Sequence, residues 1–194
     1  MIHKLPNFDY FYFIRHGRTE ANVHQLMAGG NTDIPLNETG HQQAMQAAQL
    51  LKAKCPDIQT ICVSSMTRAK QTADYINREL QRNILEMPEL VEWRFGEWEG
   101  KKWDDVAHQF LTDGEPPNGE SRLVFRTRIL TGLQNALVQP GPVLVVAHGG
   151  VWYKIQRIFN LPLIKTDNCQ VFKIYSQKNK DLVQYSYHEI TLCP

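Results

Sequence analysis

Paired cysteines are the first thing this chain lacks. Cys55, Cys62, Cys169 and Cys193 are scattered, with no C-x-x-C spacing. That argues against a zinc site and against a disulfide framework, and free thiols suit a reducing, cytoplasmic setting. Long hydrophobic runs are also missing, since no segment approaches the ~20 apolar residues of a membrane span. Pro6, Asn7 and Asp9 interrupt the apolar core that a signal peptide would need after His3 and Lys4. Neither charge is in excess: 21 basic and 20 acidic residues leave a net charge of +1. Nucleic acid and anionic membranes both demand a basic surplus, so neither is an expected partner. Carboxylates are not clustered as a metal would require. Repeats and linkers are absent as well. The length of 194 residues and the 42% hydrophobic composition fit one domain over 1–194. Such a chain buries about 70% of its unfolded surface without covalent staples.

What the chain does have is a succession of apolar runs that alternate in period. Phe8 to Ile14 is aromatic and branched and reads as a buried strand. A helix is predicted from Asn37 or Thr39, with Thr39 and Gln42 as its capping box. Ala44, Ala47, Ala48 and Leu51 mark one face of it. Thr60 to Ser64 reads as a strand, and a helix with Ala69, Ala73, Ile76 and Leu80 on one face follows. Asn83 to Met87 reads as a third strand. From Pro88 to Gly119 the pattern is irregular, with one short helix expected over Trp103 to Leu111. A helix is predicted from Ser121 to Leu137, and Pro142 to Ala147 is the clearest buried strand. Another helix carries Val151, Ile155 and Ile158, and Cys169 to Tyr175 and Leu182 to Tyr187 read as two paired strands. The alternation implies an α/β fold, a three-layer α/β/α sandwich with a mainly parallel central sheet and antiparallel strands at its edge. An irregular insertion around 93–120 belongs to the same domain.

Three of these strands end in chemistry. The first delivers Arg15, His16 and Gly17. The second delivers Ser64 and Ser65, with Arg68 at the start of the next helix. The most apolar strand delivers His148, with Gly149 and Gly150 opening another helix. In open α/β sheets ligands bind at this carboxyl edge. Two arginines, two histidines and helix N-termini facing one crevice favour an anion, and phosphate above all. Phosphoryl transfer needs a nucleophile, cations on the equatorial oxygens and a proton for the leaving alkoxide. His16 suits the nucleophile, with Gly17 letting the backbone turn close to the ring. His148 then remains as a donor. The proton donor should be a carboxyl group with a burial-raised pKa; Glu92, Glu97 and Glu99 are candidates, and Glu92 opens the aromatic stretch.

These residues resemble the histidine phosphatase superfamily, the phosphoglycerate mutase-like family. Arg15-His16-Gly17-Arg18-Thr19-Glu20-Ala21-Asn22 resembles R-H-G-x-T-x-x-N. Asp33 to Gly40 resembles D-x-P-L-[TS]-x-x-G, and Ser64 to Ala69 resembles S-x-x-x-R-A. Glu92 to Gly100 resembles E-x-x-F-G-x-W-E-G, and Gly119-Glu120-Ser121 and Ala147-His148-Gly149-Gly150 complete the order. The resemblance runs from about Phe11 to Val151. It implies a phosphoglycerate mutase-like fold, a phosphohistidine on His16 and Glu92 as proton donor. It implies phosphate contacts from Arg15, Asn22, Arg68, His148 and the Gly149 amide, with Thr19 and Gly30 at further contact positions. It implies no metal and no cofactor. Two places depart from the pattern. Trp93-Arg94 stands where an acid commonly precedes Phe-Gly, which alters the charge beside Glu92. Phe125-Arg126 replaces another usual acid and is expected on a helix surface.

The expected activity is a metal-independent phosphatase acting on a small phosphorylated metabolite, similar to the α-ribazole phosphatases; the residues do not single out a sugar phosphate, a nucleoside phosphate such as a ribazole phosphate, or a phosphoglycerate. The alternatives are a phosphoglycerate mutase and a non-catalytic phospho-ligand binding module. Specificity is expected from Met27 to Thr32, Lys101 to Asn118 and Lys165 to Asn168, which offer Lys101, Lys102, Lys165, Asp104, Asp105, Asp113 and Glu115. Trp93, Trp98, Trp103 and Trp152 are expected to pack, with at most one meeting substrate. His3, His24, His41, His108 and His188 are expected to be exposed or incidental.

Overall fold

The computed structural model describes residues 5–112, 114–179 and 182–191. Six strands form one sheet: β1 (Tyr10–Arg15), β2 (Thr60–Ser64), β3 (Asn83–Met87), β4 (Val143–Ala147), β5 (Val171–Asn179) and β6 (Leu182–Ile190), in the order β3-β2-β4-β1-β5-β6. The pairs among β3, β2, β4 and β1 are parallel, while β5 runs antiparallel to β1 and β6 antiparallel to β5. The helices are α1 (Glu20–Val23), α2 (Glu38–Lys54), α3 (Thr67–Leu80), α4 (Trp103–Leu111), α5 (Arg122–Leu137) and α6 (Gly149–Ile158). The last two strands pair as expected, but the hairpin is longer than the apolar pattern suggested. Cys169 itself sits outside it in a left-handed turn, φ 58°.

The central strands are apolar throughout because both faces are covered. On β1, Tyr12 and Ile14 join Ile61, Val63, Leu144 and Val146 under α2 and α3. Phe11 and Phe13 face the other way, with Val145, α5, α6 and the aromatic segment around Trp93. Full burial of a Phe or Ile side chain is worth about 1.5–3 kcal/mol, so a one-residue slip of β1 would exchange two packed faces at once.

Two local expectations need correction. The α2 cap is Asn37, whose side chain accepts the Gly40 N–H at 2.9 Å; the Thr39–Gln42 box does not form the cap. Asparagine one residue before the helix meets an orphan N–H directly, and Thr39 already lies inside the first turn. The reciprocal box occurs instead at Thr19 and Asn22, around α1. Phe125 is not on a helix surface. It is fully buried and stacks on Trp93, ring centroids 5.1 Å apart and planes 10° from parallel. Only its neighbour Arg126 is exposed.

Trp93, Trp98 and Trp152 are buried packing residues. His24, His108 and His188 are exposed, and His41 is half-buried against Tyr75. Cys55, Cys62 and Cys169 are free thiols. His3, Asp113 and Cys193 lie outside the described residues. Among the described residues no helix is long and apolar enough to cross a membrane.

Candidate active site

Strand register builds the centre of the site. β4 lies between β1 and β2, with Ala147 opposite Arg15 and Val146 opposite Val63. The residues that follow leave the sheet side by side. His16 N–H donates to the Ala147 carbonyl at 2.9 Å, and the His16 and His148 rings stand 5.1 Å apart. His16 Nδ1 lies 2.7 Å from the Gly17 carbonyl. A carbonyl only accepts, so Nδ1 carries the proton and Nε2 keeps its lone pair. On the other flank, Ser64 Oγ lies 2.7 Å from His148 Nε2 and accepts the Met66 N–H at 3.4 Å. With the serine proton directed to Nε2, the Nδ1 of His148 carries its own proton and is a donor. Burial drives both imidazole pKa values well below 6.5, and Arg68 and Arg15 push in the same direction. Both rings are therefore neutral at neutral pH.

The turn after His16 depends on close backbone approach. A Cβ at Gly17 would lie 2.5 Å from the Gly40 carbonyl oxygen, and one at Gly40 would lie 2.1 Å from that of Arg18. The first turn of α2 thus presses on the segment that carries His16. Gly17 N–H donates to Thr72 of α3 at 3.0 Å, which ties the same turn to the helix bearing Arg68.

The arginines arrive from two directions and are fixed by backbone carbonyls. Arg15 Nη1 donates to Thr166 O at 2.6 Å. Arg68, fully buried, donates from Nη1 to Thr32 O at 2.9 Å and from Nη2 to Gly29 O at 3.4 Å. Among the described residues, three of the buried side-chain nitrogens without a hydrogen-bond partner belong to this site: Nε of Arg15, Nε of Arg68 and Nδ1 of His148. Native proteins rarely leave buried donors unmet. Three of them beside two neutral imidazoles and the first turn of α6 are the kind of groups that an anion would satisfy.

Glu92 closes the crevice from the far side. Its Oε2 accepts Gly150 N–H at 2.9 Å and its Oε1 accepts Trp93 N–H at 2.8 Å. Burial raises its pKa, and the two backbone donors with Arg68 and Arg15 offset only part of that rise. Of the other two carboxylates considered, Glu97 is exposed and accepts from Asn118. Glu99 braces the Met27–Thr32 loop: it accepts Thr32 Oγ1 at 2.5 Å, Phe95 N–H at 3.1 Å and Asn31 N–H at 3.3 Å. The altered pair beside Glu92 leaves the crevice itself untouched. Trp93 turns into the core and donates to Glu120 O at 2.5 Å, while Arg94 faces outward, 3.9 Å from Glu120.

The remaining candidates divide. Gly149 heads α6 under the Arg15 guanidinium. Asn22 is held with its Oδ1 on Thr19 N–H at 3.1 Å. Thr19 is fully buried and its hydroxyl is engaged with Asn22, so it serves the α1 cap. Gly30 donates its N–H to Trp93 O at 2.9 Å and packs against the Glu92 carbonyl, where a Cβ would come within 2.4 Å. Neither offers a donor to the crevice in this arrangement.

The sequence profile of the histidine phosphatase superfamily (branch 1) matches residues 11–185. The chain belongs to the histidine phosphatase superfamily. It is 37% identical over 138 residues to the uncharacterized phosphatase PhoE of Bacillus subtilis, covering 70% of this chain and 69% of that one. It is 33% identical over 166 residues to the adenosylcobalamin/alpha-ribazole phosphatase of Salmonella typhimurium, covering 78% and 80%. The crystal structure of a putative alpha-ribazole-5'-P phosphatase from Escherichia coli superposes with a TM-score of 0.77 at 25% identity, over 95% of this chain and 98% of that one. Phosphoglycerate mutases are also among its relatives. The chain is thus a histidine phosphatase superfamily member whose relatives are phosphatases and mutases.

Within that family frame, several side chains that shape the crevice carried no evident sequence signal. Arg128 of α5 donates to the carbonyls of Glu89 at 2.8 Å, Val91 at 2.7 Å and Glu92 at 3.1 Å. Its guanidinium is itself held by Glu120 at 2.6 Å and 2.8 Å. A buried pair of this kind is costly to desolvate, and here it fixes the backbone that presents Glu92. Glu120 lies in the Gly-Glu-Ser motif, so half of the pair was visible. Asn168 and Thr166 reach the His16 segment from the far end of the chain; Lys165 to Asn168 was expected to bear on specificity, and no local pattern marks it as a brace for His16.

Proposed function

We propose that this protein is a metal-independent phosphatase that hydrolyses a phosphate monoester of a small metabolite through a phosphohistidine on His16. The observation that carries the reading is the set of three buried, unpartnered N–H donors around a neutral imidazole: Arg15 Nε, Arg68 Nε and His148 Nδ1. The phosphoryl oxygens meet those donors, Asn22 and the Gly149 amide. The lone pair on His16 Nε2 attacks phosphorus, the P–O bond to the leaving group breaks, and protonated Glu92 gives its proton to the departing alkoxide. Water then attacks the phosphohistidine, Glu92 as carboxylate takes its proton, and the P–N bond breaks to release inorganic phosphate. The charge of the transferring group is balanced by two guanidinium groups, so no metal is required in the scheme. The Salmonella relative's name, which pairs adenosylcobalamin with alpha-ribazole, supports a substrate of that small, phosphorylated class.

The test is covalent labelling. A monoester carrying radioactive phosphate should leave acid-labile label on the protein, and His16→Ala should lose both label and turnover, with chelator making no difference. Undiminished turnover in His16→Ala would end the proposal. Transfer between two hydroxyls of one substrate, without release of inorganic phosphate, would assign a mutase instead.

A further inference from the structure

The segment Thr166–Cys169 is about 150 residues downstream of β1, yet it grips the nucleophile segment at four points. Thr166 O accepts from Arg15 Nη1 at 2.6 Å, and Cys169 N–H donates to the Arg15 carbonyl at 3.0 Å. Asn168 supplies the other two through one side-chain nitrogen. Its Nδ2 donates to the His16 carbonyl at 2.9 Å and to Asn22 Oδ1 at 3.2 Å. The first pair uses main-chain atoms of 166 and 169 and survives any side chain at 168. The second pair depends on an amide there.

The contact with Asn22 decides which way its own amide faces. Asn22 Oδ1 receives Thr19 N–H at 3.1 Å, Thr19 Oγ1 at 3.2 Å and Asn168 Nδ2 at 3.2 Å. A backbone N–H and an amide NH2 can only donate, so the atom between them must be the oxygen. The Asn22 NH2 is thereby turned away, and it makes no hydrogen bond among the described residues. Resting on the phosphatase reading above, we propose that Asn168 is a positioning residue: held by the His16 carbonyl, it locks Asn22 so that the Asn22 NH2 meets the phosphoryl group.

Inorganic phosphate is the probe, with binding to the intact protein measured by calorimetry. Asn168→Ala should weaken phosphate by about tenfold or more, the scale of a lost charge-assisted hydrogen bond. Asn22→Ala should do the same. The double variant should bind within about twofold of Asn22→Ala, because the Asn168 effect passes through Asn22. Asn168→Asp should weaken phosphate further than alanine does, since a carboxylate facing Asn22 draws the NH2 towards itself and away from the ligand. Equal weakening by Asn168→Ala in both backgrounds, or none, would overturn the proposal by reducing Asn168 to a structural role. If the alanine variant does not fold, phosphate affinity undiminished in the near-isosteric Asn168→Asp would overturn it equally. No detectable phosphate binding by the unaltered protein would also overturn it. Failure of covalent labelling in the unaltered protein would remove the phosphohistidine scheme while these affinities still judged Asn168.

Discussion

Gly150→Ala is the substitution that probes the proton donor without replacing a reacting side chain. Gly150 is the second residue of α6, where alanine is preferred over glycine by about 1 kcal/mol. The backbone therefore gains from the change, and any loss must come from contact. The added Cβ would lie 2.3 Å from Glu92 Oε1, 3.0 Å from its Cδ and 3.3 Å from Oε2. To reach ordinary contact the carboxyl group must retreat by about 1 Å, and misplacement on that scale costs about 10²-fold in rate. The retreat also strains the hydrogen bonds from Gly150 N–H and Trp93 N–H. The two half-reactions should respond differently. An alkyl phosphate needs the proton from Glu92 to lose its alkoxide, so labelling of His16 by an alkyl ester should slow by about 10²-fold. A nitrophenyl phosphate expels a stable phenolate without that proton, so it should still label the enzyme in a rapid burst. Its steady turnover should then fall, because the second step needs Glu92 as base. Quenched-flow measurement of the label with both esters separates these outcomes. If Gly150→Ala accepts phosphoryl groups from the alkyl ester as fast as the unaltered enzyme, Glu92 is not the donor.

Two further outcomes follow from the same geometry. Glu99 fixes the loop whose carbonyls hold Arg68, so Glu99→Ala should raise KM and lower kcat, together about tenfold, the scale of one lost hydrogen bond to a charged group. Glu99→Gln should recover much of this by keeping an oxygen on the Phe95 and Asn31 amides, and equal defects in both variants would argue against the bracing role. The second concerns pH and stability. The folded-state pKa values of His16 and His148 are depressed below 6.5 by burial, so the unfolded chain binds protons first as pH falls through that value. Each histidine then removes up to about 1.4 kcal/mol of stability per pH unit. Glu92, with its raised pKa, works the other way and offsets part of one of them. Urea midpoints at pH 7.5 and 5.5 should show lower stability at the acid end, with a shallower decline in His148→Gln; an identical decline would contradict a neutral, buried His148.

How far the sequence could be read depended on where the physics was local. A strand buried on both faces announces itself as an unbroken apolar run, and its end is the next polar residue; His16, Ser64 and His148 were legible for that reason. The helix that follows each crossover was equally plain from its period. Phe125 was misplaced although its signal was present. It lies one helical turn before Ile129, and two before Leu133, so the apolar face of α5 already contained it. The departure from the usual acid there and the departure at Trp93 meet in one contact, because the two rings stack on each other. The start of α2 was read as Asn37 or Thr39 and its capping box was placed on Thr39, two residues late, because both are good capping types, and only the position of the first free N–H selects between them.

The unread part of the site has a common cause. Glu92 is presented by Arg128 from α5, Arg68 by carbonyls of the 29–32 loop, and His16 by Asn168. Each of these pairs joins segments at least 36 residues apart, and in each a side-chain donor meets a backbone carbonyl. Every residue except proline carries the same carbonyl and amide, so such a contact leaves one of its two partners with no side-chain signature. Motifs expose the groups that face the ligand, because chemistry restricts those residue types. The groups that aim them are restricted only by where the folded backbone passes. A single donor such as Asn168 can then govern the crevice from a segment whose sequence suggested substrate specificity and not support of His16, and phosphate affinity in the Asn22 and Asn168 variants measures how much of the site's order comes from that second tier.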